Sequence, residues 1–191
     1  MTTRIGPIIY QTMEQGFKTL GEKNVSVSIL APNGESTDCS PYWMLKSGKK
    51  LLVTMPEVDI SKNFFSNFCL KKLSRLAEGF KTYDIETLAL VPNQAEELQE
   101  CLKPLGVENF FILCDPENTI SDALQITVSY EEGNTLKYPK APNKLSICFE
   151  DGEIVGMDDV MLDQDDQEFY SKISQIFSKK APFNNSSENR F

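Results

Sequence analysis

The sequence predicts an α/β protein in which helices cover both faces of a mixed central sheet, giving three layers. From residue 50 onward, apolar strand patterns alternate with helical patterns in the order β-α-β-α-β-α-β-β-α. Leu51 to Met55 is an apolar run bounded by lysines and Pro56, which is typical of a strand buried on both sides. Asp151-Gly152 lies between two further strand patterns and predicts a hairpin turn.

The remaining elements follow from local patterns and from turn residues. An N-terminal β-hairpin is predicted to precede the alternating region, and residues 130–143, which contain two prolines and no periodicity, are predicted to form a loop. The predicted strands are 8–12, 25–30, 51–55, 86–91, 110–113, 144–150 and 153–157, and the helices after the central one begin at Asn93, Asp115-Pro116 and Asp163.

The central helix follows the strand that ends at Met55, with Asp59 or Ser61 able to cap it. At about 100° per residue, one helix face is apolar and the opposite face is polar. The apolar set is Phe65, Phe68, Cys69, Leu73, Leu76 and Phe80, and the polar set is Asn67, Lys71, Ser74 and Glu78. Asn63 is then predicted to lie in the first turn, off the core face. The N-terminus of a helix carries partial positive charge and free N–H groups, which would stabilise a thiolate at this position. Position 63, however, holds an asparagine.

The length and composition predict one globular domain. At 191 residues with 40% hydrophobic content, the chain is long enough to bury a substantial core. We expect the domain to span residues 1–178, followed by a disordered C-terminal tail at 179–191, which is rich in asparagine and serine.

The charge of the chain excludes several kinds of partner. A net charge of −9 and a pI near 4.6 disfavour nucleic acid and anionic membranes, because both would repel the protein. No run approaches the roughly 20 apolar residues of a membrane span, and no signal peptide is visible. The expected location is therefore cytoplasmic.

The residue inventory also limits the chemistry. The chain has no histidine, which excludes histidine-based acid–base catalysis and histidine metal sites. The acidic stretch from Glu150 to Glu168 lacks the spacing of a calcium loop and is interpreted as a solvated face. No metal and no cofactor are expected.

Five cysteines, an odd number without a C-x-x-C pair, suit a reducing compartment. Cys69, Cys114 and Cys148 fall in apolar patterns and are predicted to be core residues, whereas Cys39 precedes Ser40-Pro41 in a loop that could be exposed. Cys101 lies toward the end of a predicted helix.

One segment resembles the thiol peroxidase branch of the peroxiredoxins, which have a thioredoxin-like fold. In that branch the strand-to-helix turn reads P-x-x-D-T-x-x-C and ends in the peroxidatic cysteine. Here residues 56–63 read PEVDISKN, so Pro56 and Asp59 match, but Ile60 replaces the threonine and Asn63 replaces the cysteine. The active-site arginine of the family opens a late strand, where this chain has Lys144.

The resemblance implies a peroxiredoxin-like protein that has lost its peroxidase chemistry and acts as a binding or scaffold protein for an unknown protein partner. The alternative is a divergent thiol-dependent peroxidase or antioxidant oxidoreductase that uses another cysteine. Cys69 and Cys101 are the candidates for that alternative, and Cys101 lies near the position of the resolving cysteine of the family. Peroxiredoxins of this branch pair through surfaces flanking the turn, so the resemblance, together with the apolar Phe64-Phe65 pair, suggests a homodimer.

Overall fold

A seven-stranded mixed sheet forms the centre of the molecule, in the strand order β2-β1-β5-β4-β3-β8-β9, beside a separate two-stranded sheet of β6 and β7. The computed structural model describes residues 7–56, 64–132, 135–142, 145–159 and 165–179. The strands are β1 (Val27–Leu30), β2 (Ser36–Cys39), β3 (Lys49–Thr54), β4 (Ile85–Val91), β5 (Phe110–Cys114), β6 (Thr127–Glu132), β7 (Thr135–Pro142), β8 (Leu145–Glu150) and β9 (Glu153–Asp159). The helices are α1 (Pro7–Glu22), α2 (Pro41–Leu45), α3 (Phe64–Lys81), α4 (Ala95–Leu105), α5 (Thr119–Ala123) and α6 (Asp166–Ser178).

The predicted α/β class and mixed sheet are confirmed. Strands β3, β4 and β5 are parallel, with Val53 beside Ala89 and Ala89 beside Ile112, while β1 and β8 join this core antiparallel. Parallel strands are buried on both faces, which explains their continuous apolar sequences. The carboxyl ends of β3, β4 and β5 therefore lie at one edge of the sheet.

Two apolar layers cover the sheet. On one face α3, α4 and α6 pack through residues such as Leu73, Leu98 and Ile173. On the other face α1 and α5 pack through residues such as Phe17 and Ile120. Among the described helices, none combines the length and the apolar character needed to span a membrane.

The N-terminal segment differs from the prediction. Residues 8–12, predicted as a strand, belong to helix α1, and the N-terminal hairpin is formed by β1 and β2 instead. Met13, Phe17 and Leu20 are buried at helical spacing, so the period of 3.6 residues was present in the sequence. The short apolar run Ile8-Ile9-Tyr10 fits a strand equally well when it is read alone.

The segment 130–143 was also predicted wrongly, because it forms most of the hairpin of β6 and β7. Pro139 and Pro142 concealed this hairpin, since a proline removes a hydrogen-bond donor from the strand. Each strand of a two-stranded sheet is an edge strand and tolerates that loss. The ladder also has two register shifts near Tyr130, which removes the regular alternation that a sequence pattern would show.

Two helix starts are displaced from their predicted positions. Helix α6 is capped by Asp165, whose carboxylate accepts a hydrogen bond from Gln167 N at 2.7 Å, rather than by Asp163, which lies outside the described residues. Helix α5 begins at Thr119 instead of directly after Asp115. The delay arises because Asn118 adopts a left-handed conformation and interrupts helical geometry.

The predicted hairpin turn at Asp151-Gly152 is confirmed. Both residues have positive φ, as a type I′ turn requires, and the Asp151 carboxylate accepts a hydrogen bond from Gly48 N at 2.8 Å. Of the tail predicted from residue 179, only Lys179 is among the described residues.

The core face of α3 matches its predicted position from Cys69 onward but is wider than predicted. The side chains of Phe65 and Phe68, predicted to lie on the same face, are outside the described structure. Leu73, Leu76 and Phe80 are buried, and Ser74, predicted to be on the solvent face, is buried as well. Its hydroxyl accepts a hydrogen bond from Glu108 N and donates one to Glu108 O, both at 2.7 Å, which accounts for the burial of a polar side chain.

Candidate functional site

The candidate site is the junction where β3 ends and α3 begins. Strand β3 is central and buried, and the chain leaves it through buried Met55, whose N–H donates to Leu90 O at 2.9 Å. Half-buried Pro56 follows. Because a proline has no backbone N–H to donate, the hydrogen-bond ladder of the strand cannot continue through it. The described part of the chain resumes at Phe64, the first residue of α3.

Most predicted site residues lie outside the described part of the chain. Asp59, Ile60 and Asn63 are within the undescribed segment 57–63, and Lys144 is within the undescribed segment 143–144. Of the five residues of the degenerate site, only Pro56 is described. Their assignment to a degenerate peroxidatic site therefore stays a prediction.

The structure nevertheless brings the two flanking segments together. Thr54, near the end of β3, accepts a hydrogen bond through Oγ1 from Leu145 N at 2.9 Å and donates one to Leu145 O at 3.4 Å. Pro56 comes two residues after Thr54, and Lys144 comes directly before Leu145. The described residues that flank the two parts of the predicted site therefore meet at one contact between neighbouring strands.

Sequence reasoning missed two polar residues at this contact. Thr54 is fully buried, and it bridges β3 to the backbone of β8. Ser146, paired with Val53 across the same two strands, is also fully buried, and its hydroxyl has no hydrogen-bond partner in the described structure. Neither residue has a distinctive sequence signal, because each stands alone in an apolar strand.

Three cysteines are confirmed as core residues. Cys69 is 5% exposed, on the face of α3 that packs against the sheet, and Cys114 and Cys148 are buried in β5 and β8. Burial, reinforced by the charges of Glu96 and Asp158 respectively, raises the pKa of Cys114 and of Cys148 to about 12. Both thiols therefore stay protonated at neutral pH, and protonated thiols are poor nucleophiles.

The other two cysteines are placed differently. Cys39 ends strand β2 and is half-buried rather than in an exposed loop, with Sγ 3.3 Å from Met44 Sδ. Burial and the neighbouring Asp38 charge raise the pKa of the Cys39 thiol. Cys101 belongs to α4, and its side chain lies outside the described structure.

The acidic stretch has structural roles that the sequence did not reveal. Asp166 accepts hydrogen bonds from Arg75 and lies 3.4 Å from the ammonium of Lys72, a lysine that is almost fully buried in α3. These contacts join α6 to α3 and hold the pKa of Asp166 below its usual range. Within the described residues, no group of three or more acidic or cysteine side chains is arranged to hold a metal ion.

The sheet order, its two helical layers and the strand-to-helix junction define a thioredoxin-like fold of the peroxiredoxin type. Similar solved structures are AhpC from Enterococcus faecalis (TM-score 0.62, 13% identity, 81% of this chain and 90% of that chain), peroxiredoxin Q from Xanthomonas campestris (0.64, 8%, 80% and 90%) and the mitochondrial 2-cys peroxiredoxin from Plasmodium falciparum (0.59, 14%, 80% and 89%). At such low identities the likeness shows the fold alone. No protein-family model and no curated protein matches the sequence.

Proposed function

We propose that this protein keeps the peroxiredoxin-type fold without peroxidase chemistry and acts as a binding or scaffold protein. The observation that carries the proposal is the absence of cysteine from the β3–α3 junction. The sequence has no cysteine between Cys39 and Cys69, so no thiol can stand in the turn or in the first turn of α3.

Peroxide reduction requires more than a thiol. A thiolate must attack the O–O bond, a hydrogen-bond donor must orient the peroxide, and a cation must stabilise the charge that develops. Asn63 is not a nucleophile, and Ile60 has no side-chain donor. Lys144 keeps a positive charge but lacks the planar fork of donors that arginine offers. Two substitutions in the motif, together with the lysine at position 144, support loss of the reaction rather than a variant of it.

A thiol oxidoreductase that uses Cys69 is disfavoured by the structure. Cys69 is buried in the apolar layer between α3 and the sheet, where a peroxide would have to displace core side chains to reach it. Burial in apolar surroundings also disfavours the thiolate. Cys101 stays the candidate for a thiol-dependent peroxidase or oxidoreductase, and a peroxide-consumption assay tests it directly.

The purified protein is expected to consume hydrogen peroxide and an organic hydroperoxide no faster than free thiols at the same concentration. The measurement is peroxide loss with dithiothreitol or a thioredoxin system as the reductant. Cys101→Ser and Cys39→Ser are the matched controls: Cys101 is the thiol of the alternative hypothesis, and Cys39 is only half-buried. Turnover well above background would contradict the proposal, and its loss in one of these variants would identify the active thiol.

We also propose that the protein forms a homodimer through the surface around the start of α3. The resemblance to peroxiredoxins that pair there and the adjacent aromatic residues Phe64 and Phe65 support this proposal. Phe64→Asp is expected to convert a dimer into a monomer at tens of micromolar, measured by sedimentation velocity.

The control for the dimer is Tyr83→Asp, which places the same charge at a side chain that is 64% exposed beyond the other end of α3. This variant is expected to remain dimeric. A wild-type protein that sediments only as a monomer would contradict the proposal, and so would equal dissociation of both variants.

A further inference from the structure

A cleft lies at the carboxyl ends of β4 and β5, outside the β3–α3 junction. These two strands are parallel neighbours, but the helices that follow them pack on opposite faces of the sheet. Helix α4 packs with Leu98 in the layer that includes Val91, whereas α5 packs with Ile120 in the layer that includes Leu90. The loops therefore separate at this point, and such a divergence is where open α/β sheets bind ligands.

The cleft has a volume of about 200 Å³, and three parts of the chain form its walls. They are residues 26–28 at the start of β1, residues 94–95 at the start of α4, and the β5–α5 connection from Cys114 to Thr119. This volume equals that of roughly six or seven water molecules in the liquid, so it fits a small ligand or one long side chain.

Hydrogen bonds fix the connection between β5 and α5. Asp115 N donates to Val91 O at 2.8 Å, which ties the two diverging loops together. The Asp115 carboxylate, 2% exposed, accepts hydrogen bonds from Ile120 N at 3.1 Å and from Ser121 N and Ser121 Oγ at 2.9 Å. The cleft is thereby preformed, and a preformed site loses little conformational freedom on binding.

The polar groups of the cleft favour a cation. Its lining includes the exposed carboxylate of Glu117, which a ligand can reach, and the buried carboxylate of Asp115, whose oxygens already accept hydrogen bonds from α5. No lysine or arginine stands among the described lining residues. Glu96 stands next to the cleft in the first turn of α4, and its charge acts on the Cys114 thiol that lines it. The acidic first turn of α4 offsets the positive end of the helix, which would otherwise attract an anion.

The remaining lining residues favour an organic cation with an alkyl stem. Hydroxyl and amide groups from Ser26, Ser28, Thr119 and Gln94 can accept hydrogen bonds from N–H donors. Val27, Ala95 and Pro116 offer apolar wall for methylene groups. The described residues hold no group of ligands suited to a metal ion.

We propose that this cleft binds an alkylammonium or alkylguanidinium group, supplied either by a free amine or by a lysine or arginine side chain of another protein. The proposal does not depend on the fate of the peroxidatic site. The net charge of −9 adds a long-range attraction for such cations.

The test is a titration followed by amide NMR shifts, with butylammonium and butylguanidinium as probes and 1-pentanol and butyrate as matched controls. Both cations are expected to shift the amides of residues 26–28, 94–96 and 114–119 saturably. Ligands of this size should bind with dissociation constants on the order of 1 mM. Equal binding of 1-pentanol, or shifts confined to other surfaces, would overturn the proposal.

Two pairs of variants sharpen the test. Glu117→Gln is expected to weaken butylammonium binding about two- to fivefold, as for one exposed ion pair, while Glu78→Gln on α3 leaves it unchanged. Thr119→Lys should weaken it about tenfold because the tethered ammonium competes for the cleft. The isosteric Thr119→Val removes only one neutral hydrogen-bond acceptor and should weaken it by no more than about threefold. Equal effects of the two glutamate variants would show only a general charge attraction and would overturn the site.

The two sources of the cation are separated with capped amino acids. N-acetyl-lysine methylamide that binds as tightly as butylammonium indicates that the cleft accepts a side chain from a protein partner. Binding of the free amine alone indicates a small-molecule ligand. Failure of all the cationic probes would overturn the proposal and leave the peroxidase result untouched.

Discussion

The triple variant Asn63→Cys, Ile60→Thr, Lys144→Arg is expected to form sulfenic acid with hydrogen peroxide far faster than Asn63→Cys alone. A cysteine at position 63 directly precedes the described start of α3. The N-terminal end of a helix carries partial positive charge and therefore favours a thiolate. That effect is worth about 0.3–1 kcal/mol at an exposed site, which lowers the thiol pKa by less than about one unit. A lowered pKa alone gives only a slow reaction.

The other two substitutions supply the missing transition-state contacts. A single preorganised donor is typically worth about 10²–10³ in rate, and groups that act together are strongly non-additive. The hydrogen bonds between Thr54 and Leu145 join the end of β3 to the start of β8, and Lys144 directly precedes Leu145 in the sequence, which is the reason for placing the arginine at position 144.

The control places a thiol elsewhere in the same background. Tyr83→Cys combined with Ile60→Thr and Lys144→Arg gives an exposed thiol just beyond the C-terminal end of α3 and should react like a free thiol. Stopped-flow measurement of sulfenic acid formation compares the variants. If the triple variant reacts no faster than Asn63→Cys alone, the junction is not built as proposed or Lys144 is not the counterpart of the arginine.

Phe80→Ala is expected to lower the free energy of unfolding by about 3–5 kcal/mol, the range found for removing a buried aromatic side chain. Phe80 is fully buried on α3, with its ring centroid 4.7 Å from that of Tyr170 and 6.0 Å from that of Phe169 on α6. The substitution removes the aromatic contact that holds α6 against the helix leading from the junction. At about 2–4 °C per kcal/mol, the melting temperature should fall by roughly 6–20 °C.

Tyr83→Ala is the matched control, because this tyrosine is largely exposed and should change the unfolding free energy by less than about 0.5 kcal/mol. Urea unfolding monitored by circular dichroism measures both variants at an unchanged m-value. A loss below about 1 kcal/mol for Phe80→Ala would mean that α6 does not pack on α3 as described.

The central part of the fold was predictable because each element has a strong local pattern. Strands β3, β4 and β5 each contain a continuous apolar run, as is typical of buried parallel strands, and the Asp151-Gly152 turn has the residues that its conformation demands. The N-terminal helix was missed although Met13 and Phe17 carry its period, because a short apolar run before them fits two structures. The β6–β7 hairpin was missed because its prolines and register shifts conceal strand alternation.

The sequence predicted only the part of the candidate site that lies in one continuous motif. Pro56 marks the end of β3 in the sequence, whereas the contact of Thr54 with Leu145 joins residues 91 positions apart and has no local pattern. The burial of Lys72 follows from its neighbour Asp166 on another helix. The cleft at the ends of β4 and β5 depends on which face each helix covers, and that arrangement is visible only in three dimensions.

The most direct test of the central claim is the second-order rate constant for reaction of the fully reduced wild-type protein with hydrogen peroxide, with the modified cysteines mapped by mass spectrometry. A protein without a peroxidatic thiol should give a rate constant within about tenfold of free cysteine, with slow and scattered modification of the accessible thiols. Oxidation of one cysteine at a rate about a thousandfold higher or more would contradict the claim and show that the fold retains its chemistry at another thiol.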